Sequence, residues 1–144
     1  MNITLKVASK LDMQLVNDTY KGIDFKESYF ENEIIVMASH DEKFIGLGRL
    51  QKIDDISLEI GGIYVSETFR AKGVASKIVS KLVELSVEYE NVYCMPFEHF
   101  EKFYKGFGFD NVIEIRTVPE VIVSKYNWYN EFYKSKTILL ARKN

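Results

Sequence analysis

Three strand-like segments followed by a long amphipathic helix occupy residues 33 to 89, and this order limits the possible folds more than any other feature. The strand-like segments are rich in apolar and β-branched residues and are separated by short polar turns, which predicts a β-meander. The helical segment carries apolar side chains at helical intervals with charged ones opposite, which predicts a helix with one buried face. The predicted strands are 33–38, 44–53 and 57–65, the turns 40–43 and 54–55, and the helix 73–89.

The rest of the chain alternates between strand and helix patterns. Residues 9–21 predict a helix that Ser9 caps, with Leu11, Leu15 and Val16 on one side. Together the elements predict a mixed α/β or α+β fold, with helices flanking a mostly antiparallel sheet. The remaining predicted elements are strands at 1–8, 92–95, 112–116 and 137–141 and helices at 97–105 and 119–132.

Composition narrows the class of protein. A length of 144 residues predicts a single domain over residues 1–144. The formal net charge of −2 and the pI of about 5.8 argue against a nucleic-acid binder, which usually has a strongly basic face. One cysteine and two histidines exclude an intrachain disulfide and argue against a metal site. Without a long apolar run or a signal-peptide pattern, we expect a cytoplasmic protein that does not bind membranes.

The segment Arg70-Ala71-Lys72-Gly73-Val74-Ala75 lies between a predicted strand and the long helix. The first turn of a helix leaves backbone N–H groups unpaired, and the helix dipole adds partial positive charge there. No capping side chain directly precedes Gly73, and a glycine allows a ligand to approach the backbone closely. With Arg70 and Lys72 nearby, this pattern indicates a site for a phosphate or pyrophosphate. The alternative is that Thr68 caps an earlier helix start and that both cations are solvated.

Two segments resemble the GNAT superfamily of acyl-CoA-dependent N-acyltransferases. Arg70-x-x-Gly73-x-Ala75 is similar to that family's [Q/R]-x-x-G-x-[G/A] segment, and Phe103-Tyr104-Lys105-Gly106-Phe107-Gly108-Phe109 resembles its F-Y-x-x-x-G-F segment. Their spacing and the order of elements from about residue 33 to residue 109 also match. Each motif is short, but the pair at the expected spacing is specific.

The resemblance implies acetyl-CoA as co-substrate and no metal. The pyrophosphate would lie on backbone N–H groups of residues 70 to 76, and the pantetheine arm would enter where the strand ending at Val65 parts from the strand 92–95. A glycine pair within a strand, Gly61-Gly62, is consistent with a bulge or a close approach, or with tight packing alone. The implied cofactor-binding residues are Ile63, Val65, Arg70, Ala71, Lys72, Gly73, Val74, Ala75 and Ser76.

Two residues are candidates for the chemistry of acyl transfer. Glu59 stands 11 residues before Arg70, a spacing that resembles the glutamate base of the histone acetyltransferase branch. Its alternative role is that of a solvent-facing strand residue. Tyr104 occupies the family's tyrosine position, and a phenol can donate a proton to a leaving thiolate. Its alternative role is aromatic packing.

Other side chains leave alternatives open. His99 is a rival acid or base, with a surface role as its alternative, and His40 is a weaker candidate. Cys94 lies near the expected acyl group or is a small buried hydrophobe. In the aromatic segment 125–134, Tyr126, Tyr129 and Tyr133 share one side, which fits core packing, an acceptor pocket or a dimer surface.

The resemblance favours an N-acetyltransferase that moves an acetyl group directly from acetyl-CoA to a small-molecule or peptide amine, and it allows a homodimer. The alternatives are a non-catalytic acyl-CoA-binding or regulatory module on the same fold and an interaction domain without cofactor, because fold alone does not settle function.

Overall fold

A computed structural model describes residues 1–144 as a sheet of seven strands with four α-helices. Short 3₁₀ turns connect several of these elements. No helix is both long enough and apolar enough to cross a membrane. The strands are β1 Thr4–Val7, β2 Glu33–His40, β3 Lys43–Lys52, β4 Ser57–Val65, β5 Asn91–Cys94, β6 Asp110–Asn111 and β7 Leu140–Lys143. The helices are α1 Met13–Gly22, α2 Val74–Leu85, α3 Glu101–Lys105 and α4 Glu120–Phe132.

The sheet has the strand order β1-β2-β3-β4-β5-β7-β6. Strand β2 pairs antiparallel with β1 and with β3, and β7 pairs antiparallel with β5 and with β6. Strands β4 and β5 pair in parallel, and α2 is the crossover helix between them, as parallel neighbours require. The predicted mixed, mostly antiparallel sheet flanked by helices is therefore confirmed.

The residues pack into two compact units, each made of two stretches of chain. The first comprises Met1–Gln51 and Gly62–Leu85, and the second comprises Lys52–Gly61 and Ser86–Asn144. The prediction of one domain over residues 1–144 stays a prediction.

The first unit has an apolar cluster beneath α1. Val16 and Tyr20 of α1 are fully buried and pack with side chains from β2 and β3. On α2 the fully buried residues include Ile78 and Leu82, and both come within 3.0 Å of the position that a Cβ on Gly48 would occupy. Gly48 thus allows α2 to approach the sheet closely.

The second unit has its own apolar cluster around β5 and α4. Tyr93, Val118, Ile122 and Leu139 are buried together, and partly buried neighbours such as Tyr126 pack against them. Pro119 is the N-cap of α4, which agrees with the predicted helix start and with the preference of proline for helix beginnings.

The prediction for the first helix was partly wrong. Ser9 does cap a helical segment, and its N–H donates to the Asp12 carboxylate at 2.8 Å, but the first turn is a 3₁₀ turn, Lys10–Asp12. Leu11 is 95% exposed and Leu15 43% exposed, so they do not share the buried side with Val16. The inward face of α1 is formed by Met13, Val16 and Tyr20 instead, at the i, i+3 and i+7 spacing of one helix face.

Two strand predictions near the end of the chain were also wrong. Residues 112–116 form no strand: β6 is Asp110–Asn111, Ile115–Thr117 is a 3₁₀ turn, and Ile113 is 99% exposed. The predicted strand 137–141 is displaced to Leu140–Lys143, and Thr137 makes only an isolated bridge with Phe97. The helices predicted at 73–89 and 97–105 are present but shorter, as α2 and as α3 preceded by a 3₁₀ turn.

Candidate functional site

The second half of β4 has no partner in β5. The parallel ladder runs from Ser57↔Asn91 to Ile60↔Cys94, where β5 ends, while β4 continues to Val65. Pro96 follows soon after β5 and cannot donate a ladder hydrogen bond. Gly61 to Val65 therefore have a backbone edge that is not part of this ladder. The predicted parting of the fourth and fifth strands stays a prediction.

Ile63 and Val65 lie in this second half of β4, but their side chains are turned into the protein. Val65 is buried, and Cδ1 of Ile63 lies 2.5 Å from the position that a Cβ on Gly48 would occupy. A ligand along this edge would therefore meet backbone groups rather than these side chains.

The loop between β4 and α2 has an unusual backbone. The Ser66 N–H donates to the Ile45 carbonyl at 2.8 Å, and Nε of Arg70 donates to the Val65 carbonyl at 2.9 Å. Further along the loop, Ala71 and Gly73 have left-handed backbone conformations, with φ of 59° and 83°. A left-handed alanine costs on the order of 1 kcal/mol, so the contacts around the loop must offset this strain.

Helix α2 begins directly after Gly73. Its first intrahelical bond runs from the Lys77 N–H to the Gly73 carbonyl at 3.2 Å, so the N–H groups of Val74, Ala75 and Ser76 have no acceptor within the helix. A Cβ on Gly73 would meet nothing within 4 Å, so packing does not demand the glycine, whereas its φ does. The alternative in which Thr68 caps an earlier start of this helix is wrong, because Thr68 lies inside a separate 3₁₀ turn, Glu67–Phe69.

The two cations of the loop are placed differently. Arg70 is tied to the end of β4, and Nζ of Lys72 lies 5.8 Å from the centre of the Phe69 ring. Both side chains are exposed. The loop and the first turn of α2 thus combine unpaired N–H groups, the positive end of a helix and two cations, which is the chemistry that binds phosphate.

Glu59 lies on the first half of β4, and the structure contradicts its solvent-facing alternative. It is 6% exposed, and its Oε1 accepts a hydrogen bond from Nζ of Lys125 on α4 at 2.8 Å. The carboxylate therefore lies inside the protein with a cationic side chain as its partner. Sequence reasoning missed Lys125, which lies 66 residues away on another element and belongs to no motif.

Tyr104 on α3 lies against Cys94, the last residue of β5. Burial is the main cause that raises the pKa of the Tyr104 hydroxyl well above its usual value, and Cys94 adds to the rise. Burial likewise raises the pKa of the Cys94 thiol, the charge of Glu59 raises it further, and the hydrogen bond with Tyr104 lowers it. Tyr104 therefore stays protonated and able to donate at neutral pH, whereas Cys94 is a poor nucleophile.

The side chains of Glu59 and Cys94 project from opposite faces of the sheet. In the parallel register Glu59 is opposite Tyr93 and Ile60 opposite Cys94, and successive side chains of a strand alternate between faces. Glu59 and Tyr93 both contact residues of the segment containing α4, whereas Cys94 contacts Tyr104 of α3. The structure thus places the candidate base and the candidate acid next to the end of β5, but on different sides.

The remaining candidates lie outside this arrangement. His99 is exposed, with its ring 4.2 Å from that of Phe100, and His40 contacts the Asn2 carbonyl at 2.8 Å and Asp41 at 3.3 Å. No group of three His, Cys, Asp or Glu side chains is arranged to hold a metal ion. The absence of a metal in the reaction stays a prediction.

The aromatic segment 125–134 has two environments. Tyr126 packs against the cluster around β5, as the core-packing interpretation expects. Trp128 and Phe132 stack with ring centres 4.6 Å apart and are 50% and 64% exposed, and Tyr129 and Tyr133 contact Trp128. A homodimer or an acceptor contact at these rings stays a prediction.

Solved structures of other proteins share this architecture. A crystal structure of a GNAT family acetyltransferase from Elizabethkingia anophelis with acetyl-CoA bound is similar with a TM-score of 0.69, at 18% identity over 99% of both chains. The crystal structure of Escherichia coli ElaA is similar with a TM-score of 0.70, at 19% identity over 99% of this chain and 100% of ElaA. These likenesses define the class of fold, that of the GNAT acetyltransferases.

The sequence relatives identify the family. The model of the acetyltransferase (GNAT) family matches residues 8–109, and the chain belongs to this family. The protein ElaA of Escherichia coli K12 is 32% identical over 105 residues, which span 69% of this chain and 67% of ElaA. Membership confirms the family resemblance of the two motifs.

Proposed function

We propose that this protein transfers the acetyl group of acetyl-CoA directly to an amine, either a small molecule or a peptide. The observation that carries the proposal is the start of α2, where the left-handed Gly73 is followed by the free N–H groups of Val74, Ala75 and Ser76. Three converging donors at a helix N-terminus, next to Arg70 and Lys72, suit the pyrophosphate of CoA. The acetyl-CoA bound to the Elizabethkingia anophelis relative supports this choice of ligand.

In this proposal the second half of β4 receives the pantetheine arm. An extended amide chain can hydrogen-bond to an unpaired strand edge as an added strand would. Backbone groups of Ile63 and Val65 supply this edge, since β5 pairs with β4 only as far as Ile60. A backbone N–H near Val65 would also stabilise the oxyanion that forms when the amine attacks the thioester.

Glu59 is the proposed base. The Glu59 carboxylate, directly or through water, takes the proton that an ammonium group must lose before its nitrogen can attack. The neutral nitrogen then attacks the thioester carbonyl carbon, the C–S bond breaks, CoA leaves as the thiolate, and the second proton of the nitrogen passes to water. Amines arrive mostly protonated at neutral pH, since their pKa is about 10.4. Lys125 donates to one carboxylate oxygen, Oε1, at 2.8 Å and so fixes the orientation of the carboxylate.

Tyr104 is the proposed proton donor to the departing CoA thiolate. The raised pKa of its hydroxyl means that the proton is present at the start of every cycle. Before CoA leaves, the hydrogen bond to Cys94 holds the phenol in place. A CoA thiolate that came within reach of the Tyr104 hydroxyl would replace the Cys94 sulfur as the acceptor of this hydrogen bond.

A non-catalytic acyl-CoA-binding module is the second candidate, and one observation favours it. Glu59 is engaged by Lys125 and Tyr104 by Cys94, so both groups already have partners inside the protein. Such a module would bind acetyl-CoA without releasing CoA when amines are added.

The first experiment is a calorimetric titration with acetyl-CoA, with CoA and ATP as comparators. Micromolar binding of both CoA species and much weaker binding of ATP are expected. A panel of amines is then screened for release of free thiol from acetyl-CoA. Thiol release that depends on an amine supports the enzyme, binding without release supports the module, and no binding by folded protein refutes both.

A further inference from the structure

Gly62 gives β4 a left-handed residue in its interior. Its φ is 60°, and a Cβ there would lie 2.6 Å from the Tyr20 hydroxyl oxygen and 2.9 Å from Nε of Arg49. Both the backbone angle and the close approach of two large side chains therefore require glycine. Gly62 is the second residue after Ile60, the last residue of β4 that pairs with β5.

The Tyr20 side chain on α1 hydrogen-bonds to the backbone of Gly62. It is fully buried, and its hydroxyl donates to the Gly62 carbonyl at 2.8 Å. Burial raises the pKa of this hydroxyl, so the bond persists at any physiological pH. The ring is in turn covered by Arg49, whose Cζ lies 4.2 Å from the ring centre.

Burial of the charged Arg49 side chain is unfavourable in itself, and its contacts connect two further parts of the chain, the loop after α1 and strand β2. It is 6% exposed, and its Nη1 donates to Ser28 Oγ at 2.6 Å and to the Lys26 carbonyl at 3.0 Å. Glu33 Oε1 lies 3.8 Å from Nη1. Nε of Arg49 has no hydrogen-bond partner although it is buried. Since replacing a buried ion pair by apolar residues of similar size is often neutral or stabilising, a gain in stability does not by itself account for a buried arginine.

The same contacts fix the loop after α1. The Asn17 side chain accepts from the Ser28 N–H at 2.7 Å and donates to the Ser28 carbonyl at 3.2 Å, so Ser28 is held from both sides. Hydrogen bonds and the cation–π contact between Arg49 and Tyr20 thus connect this loop to the Gly62 carbonyl. We call this set the Tyr20–Arg49 brace.

We propose that Tyr20 and Arg49 are positioning residues that hold the second half of β4 in the shape that binds the pantetheine arm of acetyl-CoA. The brace donates a hydrogen bond to the Gly62 carbonyl and so stabilises the left-handed conformation of Gly62, which lies in the part of β4 beyond the ladder with β5. It makes no bond to the edge groups of Ile63 or to the Val65 N–H, which are left to the ligand, whereas the Val65 carbonyl accepts from Nε of Arg70. This inference rests on the proposed function.

The test compares Tyr20→Phe with Val16→Ala. Phenylalanine keeps the ring beneath Arg49 and removes only the bond to Gly62, whereas Val16→Ala opens a cavity in the same apolar cluster without touching the brace. Acetyl-CoA affinity is measured by calorimetry, and KM and kcat by thiol release, at a temperature where every variant is folded. The loss of one buried hydrogen bond predicts an affinity about three- to tenfold weaker for Tyr20→Phe.

We expect Tyr20→Phe to raise Kd and KM by this factor with little change in kcat, and Val16→Ala to lower Tm without changing Kd. Amide hydrogen exchange at Ile63 and Val65 of the free protein should be faster in Tyr20→Phe than in Val16→Ala. If wild-type protein binds acetyl-CoA and Tyr20→Phe binds it equally well, the brace has no positioning role. If wild-type protein does not bind acetyl-CoA, the proposed function fails and the inference fails with it.

Discussion

The ion pair of Glu59 with Lys125 offers a test that separates catalysis from stability. Glu59→Gln removes the proposed base, and Lys125→Met removes only its partner. The carboxylate side chain is 7% exposed and the lysine side chain 31% exposed, with 2.8 Å between Nζ and Oε1. Breaking a buried pair costs about 3–5 kcal/mol, and an exposed pair contributes only about 0.2–1 kcal/mol.

Because the lysine is partly exposed, we expect a cost between these limits, about 2 kcal/mol for Lys125→Met. Methionine leaves a buried charge without its partner. We expect about 1 kcal/mol for Glu59→Gln, since the ammonium left behind can turn toward water. For a chain of this length each kcal/mol corresponds to about 3 °C in Tm, so the expected losses are about 6 °C and about 3 °C. Differential scanning calorimetry measures both.

Activity should rank the two variants in the opposite order. As a general base Glu59 should contribute about 100-fold or more to kcat, so Glu59→Gln should lose at least that factor. Lys125→Met keeps the carboxylate and should stay within about tenfold of wild type well below its Tm. The matched control is Lys136→Met, which removes the exposed pair of Lys136 with Glu98 at 3.3 Å and should cost less than about 1 kcal/mol. Wild-type kcat in Glu59→Gln would show that Glu59 is a structural residue and not the base.

Four other expectations are open to simple measurements. Tyr104→Phe should lower kcat about tenfold or more while the Kd for acetyl-CoA, from calorimetry, hardly changes; wild-type kcat would refute the acid role. In the pH–rate profile, ionisation of Tyr104 should cause no fall below about pH 10, because the pKa of its hydroxyl is raised, and a fall near pH 9 that Tyr104→Phe abolishes would contradict this. Gly73→Glu should abolish acetyl-CoA binding through bulk, charge and its left-handed φ, whereas Gly22→Glu, at another open position, should not; equal binding would refute the phosphate site. Asp12→Asn should lower Tm by about 3 °C at pH 7, since the bond from Ser9 lowers the pKa of Asp12; this stability is present above pH 3.8 and lost as the pH falls through the lowered pKa, so an equal Tm difference at pH 2 would disprove it.

The central strands were predicted well because their apolar, β-branched segments and the polar turns between them both indicate strands at the same positions. Strands β2, β3 and β4 were placed within a few residues of their observed bounds, and two left-handed residues, Asp41 and Glu42, form the first predicted turn. Local pattern and tertiary pairing favour the same structure in this region.

The segment 112–116 shows why the rest of the fold was harder to predict. Its β-branched residues favour a strand. The backbone hydrogen bond from this segment to the chain beside β7 is that of the Val112 N–H to the Leu139 carbonyl, at 3.2 Å. A strand needs a partner along its length, and Ile113 projects into solvent instead. Strand propensity cannot show whether such a partner exists.

The candidate site was predicted in the same uneven way. The loop at 70–76 is a local motif, so its position at a helix start could be read from the sequence. The partners of Glu59 and Tyr104 come from other elements, and no spacing in the chain links Lys125 to Glu59. Burial of Glu59 follows from this long-range pairing, which is why a solvent-facing position was also reasonable.

The place of β7 in the sheet has a consequence for the order in which the protein can fold. Residues Leu140–Lys143 insert between β5 and β6, which come earlier in the chain. Until they arrive, β5 has an open edge and β6 has no partner, and open edges of apolar strands recruit other chains. A nascent chain is therefore exposed to aggregation after β5 emerges from the ribosome, and proteolytic cleavage between α4 and β7 would recreate the same hazard in a finished molecule.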